Sequence, residues 1–381
     1  MKKSLFIIAF IISGCSNCIT TLYNDFNKFK NKAEGMPNDG AIRIYFDRWG
    51  DIYPDLFIDH TTFYSNNSTL ENVYKNDSAV LDKVLTEENL SGTGLDSKEK
   101  IALLEENLSL KYAKKINTLS NNKKLIFFIH GFNNTAEEAY PNYQKIKSEI
   151  LKRYTKDEIQ IVEIYWDGLL DKGKTVNAIK IWNNSQVAAA FVGLGLRRVL
   201  SKISAKKSYV ITHSHGAAVI TEALFNVRRF KLSYYTDYDD GKEIVSMQQN
   251  HKLYTTPKTE FVVGMLAPAI PGTNVFDEYH QRTVEAGNVV TTDFNYRFIS
   301  GFNINDEKTT KWKLASKFGS TTLACRINEN KEVGNYFTDH PNVFNSIDFS
   351  TNHGSPQKKH DFALYISNEH FEDLLDSLFT N

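Results

Sequence analysis

Residues 208–220 read SYVITHSHGAAVI: an apolar run reaches a serine and a second apolar run starts with no spacer between them. Tyr209, Val210 and Ile211 are strand formers in a continuous apolar stretch, as in a strand covered on both faces. Residues 217–224 (AAVITEAL) read as a helix that begins at once. Joining a buried strand to a helix through so short a turn strains the backbone, so small residues are needed two positions before and two after Ser214. Gly216 meets that need, and Thr212 is a compact residue at the other position. Such a turn lifts the Ser214 hydroxyl off the strand end and brings the His215 backbone N–H beside it. The helix N-terminus adds partial positive charge at the same place. Two other readings of the segment are an ordinary strand-to-helix turn and a His213-x-His215 pair of metal ligands.

Other apolar runs repeat the pattern. Residues 125–129 form a strand that ends in His130-Gly131-Phe132, and 160–166, 260–266 and 296–302 are three more, with 345–349 a short last one. Helical patterns at 137–154, 174–204 and 217–224 alternate with them, and 362–379 reads as a closing helix. Strand and helix in alternation imply an α/β fold, a mostly parallel doubly wound sheet with helices on both faces. Small residues at 187–190 and 193–195 would let their helix lie close against the sheet. Ahead of this core (120–381), residues 41–119 join the sheet: a hairpin turning at Trp49-Gly50-Asp51, an irregular insertion over 60–95 with weak signals for one helix, and an amphipathic helix over 97–119 that puts Ile101, Leu104, Leu108 and Tyr112 on one face. Residues 231–256 and 307–345 read as irregular, and 271–292 as a crossing back.

The formal net charge is zero over 381 residues, which leaves no electrostatic footprint for nucleic acid. The chain opens MKKSLFIIAFIISGCSNC, a basic start and an apolar stretch too short to span a bilayer. Ile12-Ser13-Gly14-Cys15 resembles a bacterial lipobox. That resemblance implies a signal peptide over 1–14, cleavage before Cys15, acyl chains on Cys15 and a tether over 15–40. The mature protein would then be a lipoprotein of the bacterial cell envelope, held at the membrane by those chains. Cys18 and Cys325 remain, too few for a disulfide framework.

Taken together, FFIHGF at 127–132, THSHGA at 212–217 and the Ile164-Tyr165-Trp166 strand end resemble the α/β-hydrolases, in particular their lipase-like and esterase-like serine hydrolases, over roughly residues 120–375. The first motif is similar to the family's oxyanion strand and the second to its nucleophile elbow. The resemblance implies Ser214 as nucleophile and the N–H groups of Phe132 and His215 as the oxyanion hole. The family's chain order of serine, acid, histidine then implies Asp306 as the acid, with Asp277 the alternative and Asp293 and Glu285 further ones. For the base it implies His360, with His353 the alternative in the same loop. His130 would order the oxyanion loop through its side chain. The implied reaction is hydrolysis of a carboxylic ester, a small-molecule or lipid acyl ester, through an acyl-serine, with no cofactor and no metal. The competing reading is a non-catalytic lipid-anchored binding protein on the same scaffold.

Overall fold

The computed structural model describes residues 19–20, 39–59, 70–134, 136–168, 170–171, 175–225, 259–273, 275, 295–311 and 321–380. Seven strands make one sheet: β1 (Ile42–Phe46), β2 (Lys124–Ile129), β3 (Ile159–Trp166), β4 (Lys207–His213), β5 (Glu260–Leu266), β6 (Tyr296–Phe302) and β7 (Phe344–Asp348). They lie in the order β1-β3-β2-β4-β5-β6-β7, and every neighbouring pair is parallel. From Leu125 to Ile129 and from Ser208 to His213 every side chain is buried, whichever way it points, so helices cover both faces. The protein is thus an α/β fold built on a parallel sheet.

The helices are α1 (Asp55–Asp59), α2 (Leu70–Asn76), α3 (Ser78–Glu87), α4 (Ser97–Leu119), α5 (Ala136–Leu151), α6 (Thr175–Leu200), α7 (Gly216–Phe225), α8 (Glu307–Lys311), α9 (Ile327–Tyr336), α10 (Phe362–Ile366) and α11 (Phe371–Phe379). Helix α6 packs against both α4 and α7, and α5 packs with α10. Helix α4 starts at a capping box in which Asp96 and Glu99 satisfy each other's backbone N–H, and it buries Leu104, Leu108 and Tyr112.

Several expectations are corrected. The hairpin after β1 is reduced to its turn, with no second strand among the described residues. Only Phe46 and Ile52 form an antiparallel bridge before α1 begins at Asp55. Asp47 is the reason: one carboxylate oxygen accepts from the N–H groups of Trp49 and Asp51, the other from Leu70, and together they fold the chain into a turn. The Ile52 N–H goes to Glu105 of α4 rather than to a strand partner. Among the described residues the 60–95 insertion holds two helices, α2 and α3. The 307–345 stretch holds α8 and α9; the latter is polar and buries only Asn330 and Val333, so no apolar stripe announces it. The closing helix is broken into α10 and α11 at Asn368, whose amide donates to Thr351 O and Gln357 Oε1 while its oxygen accepts from His370 N–H.

Gly193 and Gly195 of α6 serve helix-to-helix and helix-to-turn contact rather than contact with the sheet. A methyl on Gly193 would sit 2.7 Å from Val219 O in α7, and one on Gly195 would sit 2.0 Å from Gly50 O in the turn after β1. Gly50 itself has φ +83°, a left-handed conformation suited to glycine. Around this contact Arg198 lies 3.4 Å from Glu105 and 3.6 Å from Asp51, all three buried. Burial pushes the Glu105 carboxyl up to about 7 against the pull of Arg198 and the Ile52 N–H. The loop readings at 231–256 and almost all of 271–292 lie outside the described residues.

Candidate active site

In an open parallel sheet, ligands gather at the carboxyl ends of neighbouring strands whose connections leave in opposite directions. Here β2 connects outward to β3 on one side, while β4 lies on its other side and leads towards β5. The crevice between the ends of β2 and β4 is therefore the favoured position, and both turns the sequence singled out open onto it. At the end of β4, Ser214 takes φ +54°, strained for a residue with a side chain. Its conformation is held by its own backbone: the N–H donates to Leu266 O at 3.0 Å, and the carbonyl accepts from Ala217 and Ala269 N–H at 3.1 and 3.2 Å. The small-residue requirement is physical at Gly216, where a methyl would lie 2.6 Å from Ile129 O. It is equally so at Gly131, where a methyl would lie 2.9 Å from Ser214 Cβ. Thr212, at the remaining position, is fully buried and its hydroxyl has no hydrogen-bond partner.

Asp306 follows β6 and uses its two oxygens separately. Oδ1 accepts from the N–H groups of Lys308 and Thr309 and so caps α8. Oδ2 receives His360 Nδ1 at 2.5 Å and the Tyr365 hydroxyl at 2.9 Å. Burial alone would raise this carboxyl. The His360 ring, through charge and hydrogen bond, together with the Thr309 N–H and the Tyr365 hydroxyl, outweighs burial and brings it to about 2. With Nδ1 facing a carboxylate, His360 turns Nε2 the other way. That atom and the Ser214 hydroxyl are both buried and neither has a hydrogen-bond partner.

The loop after β2 is tied down by His130. Its Nδ1–H donates to Gly131 O at 2.8 Å and its Nε2 accepts from Trp166 N–H at 3.1 Å. The Trp166 indole returns a bond to His130 O at 2.8 Å. Both ring nitrogens are thus used in the neutral form, and burial takes the His130 pKa down to about 4 despite the Gly131 hydrogen bond. Beyond it the Phe132 ring packs edge-on to Trp182 of α6 at 4.8 Å and against the His215 ring at 5.1 Å. Ser185 Oγ and His215 Nδ1 are 2.9 Å apart. The two residues expected to supply oxyanion N–H groups are therefore held side by side.

The structure thus gathers Ser214, His215, Phe132, His360 and Asp306 at the carboxyl edge of the sheet. His353 is elsewhere: its side chain is 79% exposed and pairs with Glu369 at 3.4 Å. Asp277, Glu285, Asp293 and Cys15 lie outside the described residues. His213 and His215 do not share a ligand position, because His213 Nε2 bonds His360 O and His215 Nδ1 faces Ser185. Among the described residues no cluster of three or more His, Cys, Asp or Glu side chains could hold a metal ion. Tyr365, Ser185 and Trp182 were not singled out in the sequence. The spacing of Trp182 and Ser185, one helical turn apart, was the available signal. No protein-family model matches this chain, and no curated protein matches its sequence.

Proposed function

We propose that this protein is a serine hydrolase of the α/β-hydrolase type that cleaves a carboxylic ester, and that it is anchored to a bacterial envelope membrane by acyl chains on Cys15. One observation carries the catalytic part. A serine in a left-handed turn at the sheet's crevice lies beside a His360–Asp306 pair, and the Ser214 hydroxyl and His360 Nε2 are both buried and each without a hydrogen-bond partner. The tight lipase-like turns after β2 and β4 add to it.

In this reading His360 Nε2 takes the Ser214 proton as the oxygen attacks the ester carbonyl. Asp306, ionised at any ordinary pH, holds the ring with Nδ1–H inward and stabilises the imidazolium. The N–H groups of Phe132 and His215 hold the oxyanion. Collapse of the tetrahedral species breaks the ester C–O bond, and the alcohol leaves with the proton from His360. Water, deprotonated by the same nitrogen, then releases the acid and restores the serine. The aromatic surroundings (Phe132, Trp182) favour an acyl group over a polar one.

The test is hydrolysis of p-nitrophenyl esters of short and medium acyl length by protein beginning after Cys18, beside Ser214→Ala. The expected result is turnover by the wild type, loss of at least about 10³-fold in the folded variant, and fluorophosphonate labelling at Ser214 only. Neither turnover nor labelling would leave a binding protein on this scaffold.

A further inference from the structure

His213 precedes the nucleophile and belongs to none of the roles above, yet it is 4% exposed and lies against His360, Phe362 and Gly131. Its Nε2 is 2.9 Å from the backbone carbonyl of His360. A carbonyl only accepts, so Nε2 carries the proton and Nδ1 is bare. Nδ1 has no hydrogen-bond partner and lies against Gly131, where an added methyl would come within 3.2 Å of it. The ring stacks flat on Phe362, with centroids 4.7 Å apart and planes 9° apart, and faces the His360 ring at 4.8 Å. Burial, and secondarily the nearby His360, hold the His213 pKa well below the ordinary histidine value, so it does not compete for the proton that His360 must carry.

The segment bearing His360 is held on its acid side by Asn303 Nδ2 to Gln357 O at 2.7 Å and by His360 on Asp306. On the serine side, the hydrogen bond from His213 links it to the strand that carries Ser214. Nucleophile and base are thus joined by one peptide unit, one imidazole and one hydrogen bond.

We propose that His213 is a positioning residue: by donating Nε2–H to the His360 carbonyl while stacked on Phe362, it sets the separation between the Ser214 hydroxyl and the His360 ring. Its effect on rate rests on the serine-hydrolase reading; its effect on the placement of His360 does not.

The experiment compares wild type, His213→Gln and His213→Phe by ester kinetics and by the downfield proton resonance of His360 Nδ1–H. Glutamine extends a donor to about where Nε2 sits. Phenylalanine keeps a ring on Phe362 and removes the donor. Expected are a fall in kcat of about 10²-fold in His213→Phe, as for a displacement of about 1 Å, with KM changed by less than about twofold. The His360 resonance should be broadened or shifted in that variant, and both readouts should return towards wild type in His213→Gln. Rates alike in all three proteins, or both variants impaired equally, would overturn the proposal, because ring packing alone would then account for His213. If His213→Phe does not fold, His213→Asn replaces it, since its amide is too short to reach the carbonyl. Should the wild type hydrolyse nothing and resist labelling, the hydrolase reading fails and the resonance decides alone. A signal altered only in the donor-less variant sustains the clamp, and one unchanged in all three removes it.

Discussion

Asp306 spends one oxygen on a helix and the other on an imidazole, and its ionisation therefore bears on stability as well as on rate. Its carboxyl titrates near 2 in the folded chain against 3.8 as the unperturbed value. A folded pKa below the unfolded one means that the stabilisation is complete above about pH 4 and is lost as pH falls through about 2. The shift is worth about 2 kcal/mol. Asp306→Asn should lower kcat by about 10⁴-fold and should flatten the acid limb of stability; denaturant titrations at pH 5 and pH 2.5 on both proteins check it. At this scale the sequence is legible where the chemistry is local. Ser214, Gly216 and the His130-Gly131-Phe132 turn stand out because each needs its immediate neighbours. Asp306 and His360 came only from an expected chain order. His213 stood out beside Ser214 but its bond to His360 did not, and Tyr365 and Ser185 were illegible as site residues, because the partners lie 147, 59 and 30 positions away.

Helix α6 shows what an element contributes. It carries Trp182 and Ser185 towards Phe132 and His215, and its seating depends on Gly195, which touches the backbone of Gly50. Gly195→Ala would put a methyl 2.0 Å from a backbone oxygen in a turn already at φ +83°. Overpacking of this kind costs about 1–3 kcal/mol. The expected result is a lower denaturant midpoint at unchanged slope, with kcat reduced because Trp182 shifts with the helix. Strands β2 to β6 were legible as apolar runs, and α4 as an amphipathic stripe, because burial writes itself into composition. Helix α9 was not, being polar and only shallowly buried. The break between α10 and α11 was missed because it rests on Asn368 bonding to residues distant in the chain, while the apolar spacing runs on through it.

For the whole molecule, strand alternation foretold a parallel α/β sheet but not the order of its strands, nor that residues 42–46 would form its edge. Pairing across such distances leaves no local trace. No helix among the described residues is long and apolar enough to cross a membrane; the proposed attachment is through Cys15. Radiolabelled palmitate fed to cells expressing the full chain should enter the wild type and not Cys15→Ser, which should fractionate away from membranes. Label retained by the variant would refute the anchor. Strand β1 has a further consequence, one of time. Its Ile42 pairs with Val162, 120 positions later, and at about 5–20 residues per second a ribosome needs roughly 6–24 s to make that interval. Until β3 emerges, the apolar segment Ile42-Arg43-Ile44-Tyr45-Phe46 has no strand to join, and it must wait unpaired or in the keeping of a chaperone.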